Sequence, residues 1–258
     1  MITINKSKCI NCYACVRTCP FIALTRGADG AVEFDESKCI NCMHCAAVCE
    51  QHAVMYKGEN ADLGDIAKPG AGFAEKLKQH ILQRRSYRHF KPEPVDRELI
   101  KEALELASWA PSAKNQKSTE WIVIDNHEII EGMKKAFIDF AKENKDPILI
   151  PCFDAGKNPV MGNASTLILA YSRDNDISPE TDTAIAMATA EIYLQARGIG
   201  TCWGGYLKRM SGSVPKAASL LPALPKGYSY YGAFFLGYPD ENYVNVPARH
   251  KPAKITWV

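Results

Sequence analysis

The cysteines constrain this chain most, because eight of its ten lie between Cys9 and Cys49 and fall into a repeat. Lys8-Cys9-Ile10-Asn11-Cys12 returns thirty residues later as Lys38-Cys39-Ile40-Asn41-Cys42. The first copy continues to Cys15, Cys19 and Pro20 and the second to Cys45 and Cys49, each with the spacing C-x2-C-x2-C-x3-C. Three thiolates at intervals of three residues can wrap one side of a cuboidal iron-sulfur cluster, while the fourth points away and must serve another. A disulfide framework would need an export signal, and Met1 to Lys8 offer no long apolar stretch. Zinc sites pair their cysteines with a longer gap between the pairs.

This doubled motif resembles the bacterial two-cluster ferredoxins. The resemblance implies two 4Fe-4S clusters that exchange their distal ligands. Cys9, Cys12, Cys15 and Cys49 would hold one, and Cys39, Cys42, Cys45 and Cys19 the other. Pro20 follows Cys19 as that pattern requires, whereas Glu50 stands where the second proline belongs and adds negative charge beside a cluster. His44 and His52 do not match each other across the repeat and are read as solvated or packing residues.

Only Cys152 and Cys202 remain for the rest of the chain, which marks a domain boundary. Apolar residues at 47% and charged residues at 23% supply a core for a second, larger domain. A net charge of +2 is too mild to imply a nucleic-acid partner, and no run of 18 apolar residues implies a membrane span. A cytoplasmic protein acting on a small molecule is expected. Residues 1–57 are assigned to the cluster domain, 58–82 to a linker and leading helix, and 83–258 to the second domain; glycine and proline punctuate the stretch from Lys57 to Gly72. Phe73, Leu77, Ile81 and Leu82 lay one stripe along a helix. Beyond it helices are predicted from Asp96, as N-cap, to Trp109, from Ile129 to Lys142 and from about Asp182 to Arg197. Strands are predicted at Trp121–Ile124, Thr166–Tyr171 and Tyr230–Leu236. This alternation fixes a mixed α and β class and not a ligand.

Arg84-Arg85-Ser86-Tyr87-Arg88 collects three guanidinium groups and a hydroxyl suited to a phosphate, although a solvated basic helix end would look the same. Its order with Ala110-Pro111-Ser112-Ala113-Lys114-Asn115, Gly198-Ile199-Gly200-Thr201-Cys202-Trp203-Gly204-Gly205 and Leu236-Gly237-Tyr238-Pro239 changes the reading. Together these segments, over roughly Gln83 to Val258, resemble the nitroreductase family. The resemblance implies an α+β chain in which a three-layer α/β/α flavin domain follows the small ferredoxin-like one, and a homodimer with FMN between its subunits.

Carried over residue by residue, Arg84, Arg85, Ser86 and Arg88, joined by Arg249, would hold the phosphate and ribityl chain. Pro111, Ser112 and Asn115 would approach from the partner subunit. The backbone at Gly204 and Gly205 would face the isoalloxazine near N5. Lys117 stands where the family commonly has glutamine, and would set a positive charge over the flavin or an acidic substrate. Gly198 to Gly204 follows a helix and reads G-x-G-x-x-x-G, which excludes a Rossmann fingerprint. Cys202 and Cys152 are read as packed core thiols, and His250, beside Arg249, as the histidine nearest the flavin phosphate.

The implied activity is a flavin oxidoreductase, with two 4Fe-4S clusters feeding FMN and a nitroaromatic- or quinone-like acceptor. Reduced ferredoxin or NAD(P)H would be the donor. An electron carrier that docks a redox partner protein, or a flavin enzyme of another class such as an oxidase or dehalogenase, would use the same parts.

Overall fold

The computed structural model describes residues 2–248, 251 and 253–258, so the roles expected of Arg249 and His250 lie outside the described residues. The chain divides into two compact units, Met1–Ala71 with Lys114–Gln116, and Gly72–Ala113 with Lys117–Val258.

The first unit is a pseudo-repeat of short elements: β1 (Ile2–Ile4), α1 (Ala14–Thr18), β2 (Leu24–Arg26), β3 (Val32–Phe34), α2 (His44–Ala47), β4 (Val54–Tyr56) and β5 (Glu59–Asn60). β4 lies antiparallel between β1 and β5, and β2 pairs with β3 as a hairpin. The thirty-residue repeat is written into the backbone as well. Asn11 and Asn41 both take φ 53°, Tyr13 and Met43 take 58° and 62°, and Ile22 and His52 take 55° and 46°. Asparagine tolerates this left-handed region, but Tyr, Met and Ile are strained there and must be held by the turns around them. Only a small apolar core of Ile2, Leu24, Cys45, Ala46 and Val54 supports the unit. A module of this size ordinarily draws much of its stability from bound metal.

The second unit runs α3 (Phe73–Gln83), α4 (Arg97–Ala107), β6 (Glu120–Ile124), α5 (His127–Glu143), α6 (Leu149–Asp154), β7 (Thr166–Arg173), α7 (Pro179–Ala196), β8 (Gly200–Trp203), α8 (Gly205–Ser213), α9 (Pro215–Ala218) and β9 (Tyr228–Gly237). Its sheet has the order β6-β7-β9-β8, antiparallel throughout. α4 starts where its cap dictates, with the Asp96 carboxylate accepting the Glu98 amide at 3.0 Å. β7 reads as an unbroken apolar run because both of its faces are covered. Leu167 and Leu169 pack with Phe137, Met161 and Phe235, while Ile168 and Ala170 pack with Ile100, Met187, Leu194 and Phe234. Period-two alternation thus splits one strand between two cores and gives three layers, helices on either face of the sheet. β8, α6, α8 and α9 lie where the sequence pattern predicts no element. β8 spans only four residues inside a glycine-rich segment, too short for periodicity to register. The stripe on α3 is real but uncovered, with Phe73, Leu77, Ile81 and Leu82 all exposed.

Candidate functional site

In the first unit, Cys9, Cys12 and Cys15 line a cavity of about 250 Å³ together with Cys49, and Glu50 is on its wall. Cys39, Cys42 and Cys45 line a second, tighter one of about 20 Å³ together with Cys19. Each group of three thiols therefore shares its cavity with the distal cysteine of the other motif. The second cavity is the more tightly packed of the two. Both are walled by apolar side chains, Ile4, Val32 and Val54 in one and Ile2, Leu24 and Phe34 in the other, which lowers the local dielectric.

The distal thiols accept equivalent backbone donors, Ala23 N–H to Cys19 Sγ at 3.2 Å and Ala53 N–H to Cys49 Sγ at 3.3 Å. Hydrogen bonds of this kind stabilise negative charge on sulfur. At Cys19, burial raises the thiol pKa, but the amides of Ala23, Phe21, Leu24 and Ile22 outweigh it and hold the thiol below its ordinary value. Burial pushes Cys45 up to about 11 and also raises Cys15. His44 is exposed, and His52 Nδ1 lies 2.9 Å from Asp62 Oδ1, so that its partner is a carboxylate and not a cluster ligand.

In the second unit the arginine segment runs beside β8. Ser86 forms a parallel bridge with Thr201, and the Tyr87 amide donates to the Thr201 carbonyl at 3.0 Å. Gly200 makes this approach possible, since a Cβ there would lie 2.8 Å from Tyr87 Cγ. Arg84 Nη1 pairs with Glu191, a carboxylate only 5% exposed, while the buried Arg84 Nε has no partner among the described residues. An orphaned guanidinium donor is costly unless an acceptor arrives, and a phosphate oxygen is an acceptor of the right kind. Arg88 Nη1 donates to the Ser86 carbonyl at 3.1 Å, and the Arg88 amide donates to Glu241 Oε2 at 3.2 Å. Burial raises the Cys202 thiol pKa, and the Arg88 charge and a hydrogen bond with Ser86 offset it only in part.

Other expectations change on the structure. Arg85 spends its guanidinium on the carbonyls of Leu82, Arg84 and Asn245 at 2.8, 2.7 and 3.3 Å. The Gly204 amide donates to the Ala233 carbonyl at 2.8 Å, so of the two glycine amides it is Gly205, at the head of α8, that lies outside this pairing. Ser112 Oγ accepts the Lys117 amide at 2.9 Å, and Lys117 Nζ lies 5.8 Å from the centre of the exposed Trp109 ring. Lys114, Asn115 and Lys117 take φ 47°, 55° and 50°, which makes the segment after Pro111 a chain of left-handed turns. Cys202 is buried as expected, but Cys152 on α6 is only half-buried.

Two acidic residues of α7 went unpredicted. Asp182, 5% exposed, accepts the Ala113 amide at 3.0 and 3.1 Å and so holds the Pro111–Ala113 stretch. Glu191 accepts from Trp203 Nε1 at 2.8 Å and from Thr201 Oγ1 at 3.2 Å besides Arg84. The available signal was a carboxylate inside an otherwise apolar, alanine-rich helix, where a charge requires partners. Among the described residues no helix is long and apolar enough to cross a membrane.

Comparison with known proteins places these features. The Nitroreductase family model matches residues 81–238, and the 4Fe-4S dicluster domain model matches residues 1–50. An Archaeoglobus fulgidus protein provisionally named NADH dehydrogenase/NAD(P)H nitroreductase is 27% identical over 187 residues, 70% of this chain and 97% of that protein. A Desulfitobacterium hafniense nitroreductase with bound FMN superposes with a TM-score of 0.59 at 24% identity, over 71% of this chain and 98% of its own. A Bacteroides fragilis nitroreductase with bound FMN gives 0.57 at 21%, over 71% and 98%. At such identities the two structures establish the fold.

Proposed function

This chain belongs to the nitroreductase family and carries an N-terminal 4Fe-4S dicluster domain, and from that premise we propose an FMN- and iron-sulfur-dependent oxidoreductase. It would relay electrons from a low-potential donor through two 4Fe-4S clusters to FMN and on to a small, flat organic acceptor such as a nitroaromatic or quinone. The observation that carries the reading is one polypeptide holding both a pair of four-cysteine cavities and a guanidinium with an orphaned buried donor beside β8. When bound, the clusters supply single-electron transfer and the flavin supplies both one- and two-electron chemistry.

The chain's own residues then have distinct tasks. Cys9, Cys12, Cys15 and Cys49 ligate one cluster, and Cys39, Cys42, Cys45 and Cys19 the other. Amides at Ala23 and Ala53 stabilise charge on the two exchanged sulfurs. Arg84, Ser86 and Arg88 take the flavin phosphate and ribityl oxygens, together with Arg249 from the same chain. The Gly205 amide meets the ring edge, and Pro111, Ser112, Asn115 and Lys117 complete the site across a homodimer interface. The exposed apolar stripe on α3 supports that assembly, since a second subunit would cover it.

The relay is tested in Cys12→Ala and, separately, Cys42→Ala, each a ligand of a different set. Flavin reduced photochemically should pass electrons to the acceptor at the wild-type rate in both. Reduction of the flavin by reduced ferredoxin, with NAD(P)H tried alongside because the Archaeoglobus relative is named for it, should fall sharply in at least one. Undiminished donor-driven reduction in both folded, flavin-loaded variants would reject the relay and leave the clusters a structural role.

A further inference from the structure

Glu191 takes no part in the electron relay, yet it is buried at the centre of a network of side-chain hydrogen bonds. It lies on α7, opposite β8 and the arginine segment. One carboxylate oxygen, Oε2, receives Arg84 Nη1 and Trp203 Nε1, the latter at 2.8 Å. The other, Oε1, receives Thr201 Oγ1 at 3.2 Å and is 3.5 Å from Gln195 Nε2. Gln195 in turn donates to Thr201 Oγ1 at 2.7 Å and to the Arg85 carbonyl at 2.9 Å. Arg84 Nη1 and Trp203 Nε1 can only donate, and the Thr201 hydroxyl, which already accepts from Gln195, donates to Oε1; a carboxylate is the side chain whose two oxygens only accept. A glutamine there would lose the charge opposite Arg84 and offer a single acceptor oxygen, which cannot accept on the Arg84–Trp203 side and the Thr201 side at once.

The geometry points to Glu191 as the positioning residue of the flavin-phosphate site: it locks the Arg84 guanidinium by one edge, and with it the Trp203 indole on β8, so that the remaining donors of Arg84 face the phosphate. Two observations support this beyond the ion pair. Among the described residues Arg84 Nε is buried and without a partner, so the clamp fixes the guanidinium without using up its donors. And Thr201, whose hydroxyl belongs to the same network, is the residue whose backbone bridges to Ser86, so the carboxylate reaches the phosphate-binding segment both at Arg84 and, through Thr201, at Ser86. Long arginine side chains lose rotamer entropy on binding an anion, and a fixed partner removes that loss beforehand. Glu191 need touch neither flavin nor acceptor. The inference rests on the assignment of Arg84 to the FMN phosphate.

The test compares FMN with riboflavin, which has the same ring and ribityl chain and lacks the phosphate. Affinities of both are measured by flavin fluorescence quenching on the full chain stripped of flavin, for wild type, Glu191→Gln, Arg84→Ala and the double variant. Arg84→Ala should lower the preference for FMN over riboflavin about tenfold or more, and failure there overturns the phosphate assignment itself. Glu191→Gln should lower the same preference about tenfold, with riboflavin affinity kept within about twofold, and should add little in the Arg84→Ala background. If Arg84→Ala behaves as expected while Glu191→Gln weakens both flavins equally, or changes neither, Glu191 is a fold-stabilising residue and the inference is overturned. Should Glu191→Gln fail to fold, Glu191→Asp keeps the charge, withdraws it by one methylene, and must lower the preference in the same direction.

Discussion

Replacing Asp182 by alanine removes the carboxylate that receives the Ala113 amide at 3.0 and 3.1 Å, at a position only 5% exposed. A hydrogen bond to a charged acceptor contributes about 1.5–3 kcal/mol. Ala113 is half-buried, so water can reach the freed amide and the loss should stay within that range. For a unit of this size each kcal/mol moves Tm by about 2–4 °C, which gives a fall of about 3–12 °C. Asp182→Asn keeps an acceptor oxygen and loses the charge, so it should cost roughly half as much. The assay is urea unfolding followed by tryptophan fluorescence. All four tryptophans, Trp109, Trp121, Trp203 and Trp257, lie beyond residue 72, so the signal reports the second unit alone. Asp139→Asn, which loosens an exposed pair with Lys216 at 3.8 Å, is the control and should stay within about 0.5 kcal/mol of wild type. An Asp182→Ala protein no less stable than that control, or an asparagine variant as damaged as the alanine one, would refute the role of a charged acceptor in holding Ala113.

Protein purified without oxygen should carry about eight iron and eight sulfide per chain, measured by colorimetric assay, with one noncovalent flavin; stoichiometric zinc with little iron would sink the cluster assignment. Gly237→Ala should destabilise the second unit by about 1–3 kcal/mol in the same urea titration, because a Cβ there would lie 2.8 Å from Phe90 Cβ in a filled core.

The cysteine spacing was legible because ligation chemistry is local: the intervals within Cys9–Cys19 and Cys39–Cys49 are fixed along the chain, and so is the thirty-residue offset that recurs in the backbone at Asn11 and Asn41. Helices α4, α5 and α7 and strands β6, β7 and β9 were legible for a similar reason, since amphipathic or fully apolar periodicity accumulates over many residues. β8 was not. It is four residues long, and its place beside Ser86 and Tyr87 depends on Gly200 admitting them, which is a matter of contact across the fold. The arginine segment shows the same division. Its charges are visible in the sequence, but which guanidinium is held by a buried carboxylate and which turns to backbone carbonyls was decided by α7 and the carboxyl-terminal segment packing against it. Asp182 stands 69 residues from Ala113, and Glu191 stands 107 residues from Arg84. No local pattern encodes such pairs, because the cost of burying a carboxylate is met only when tertiary structure brings its donors to it.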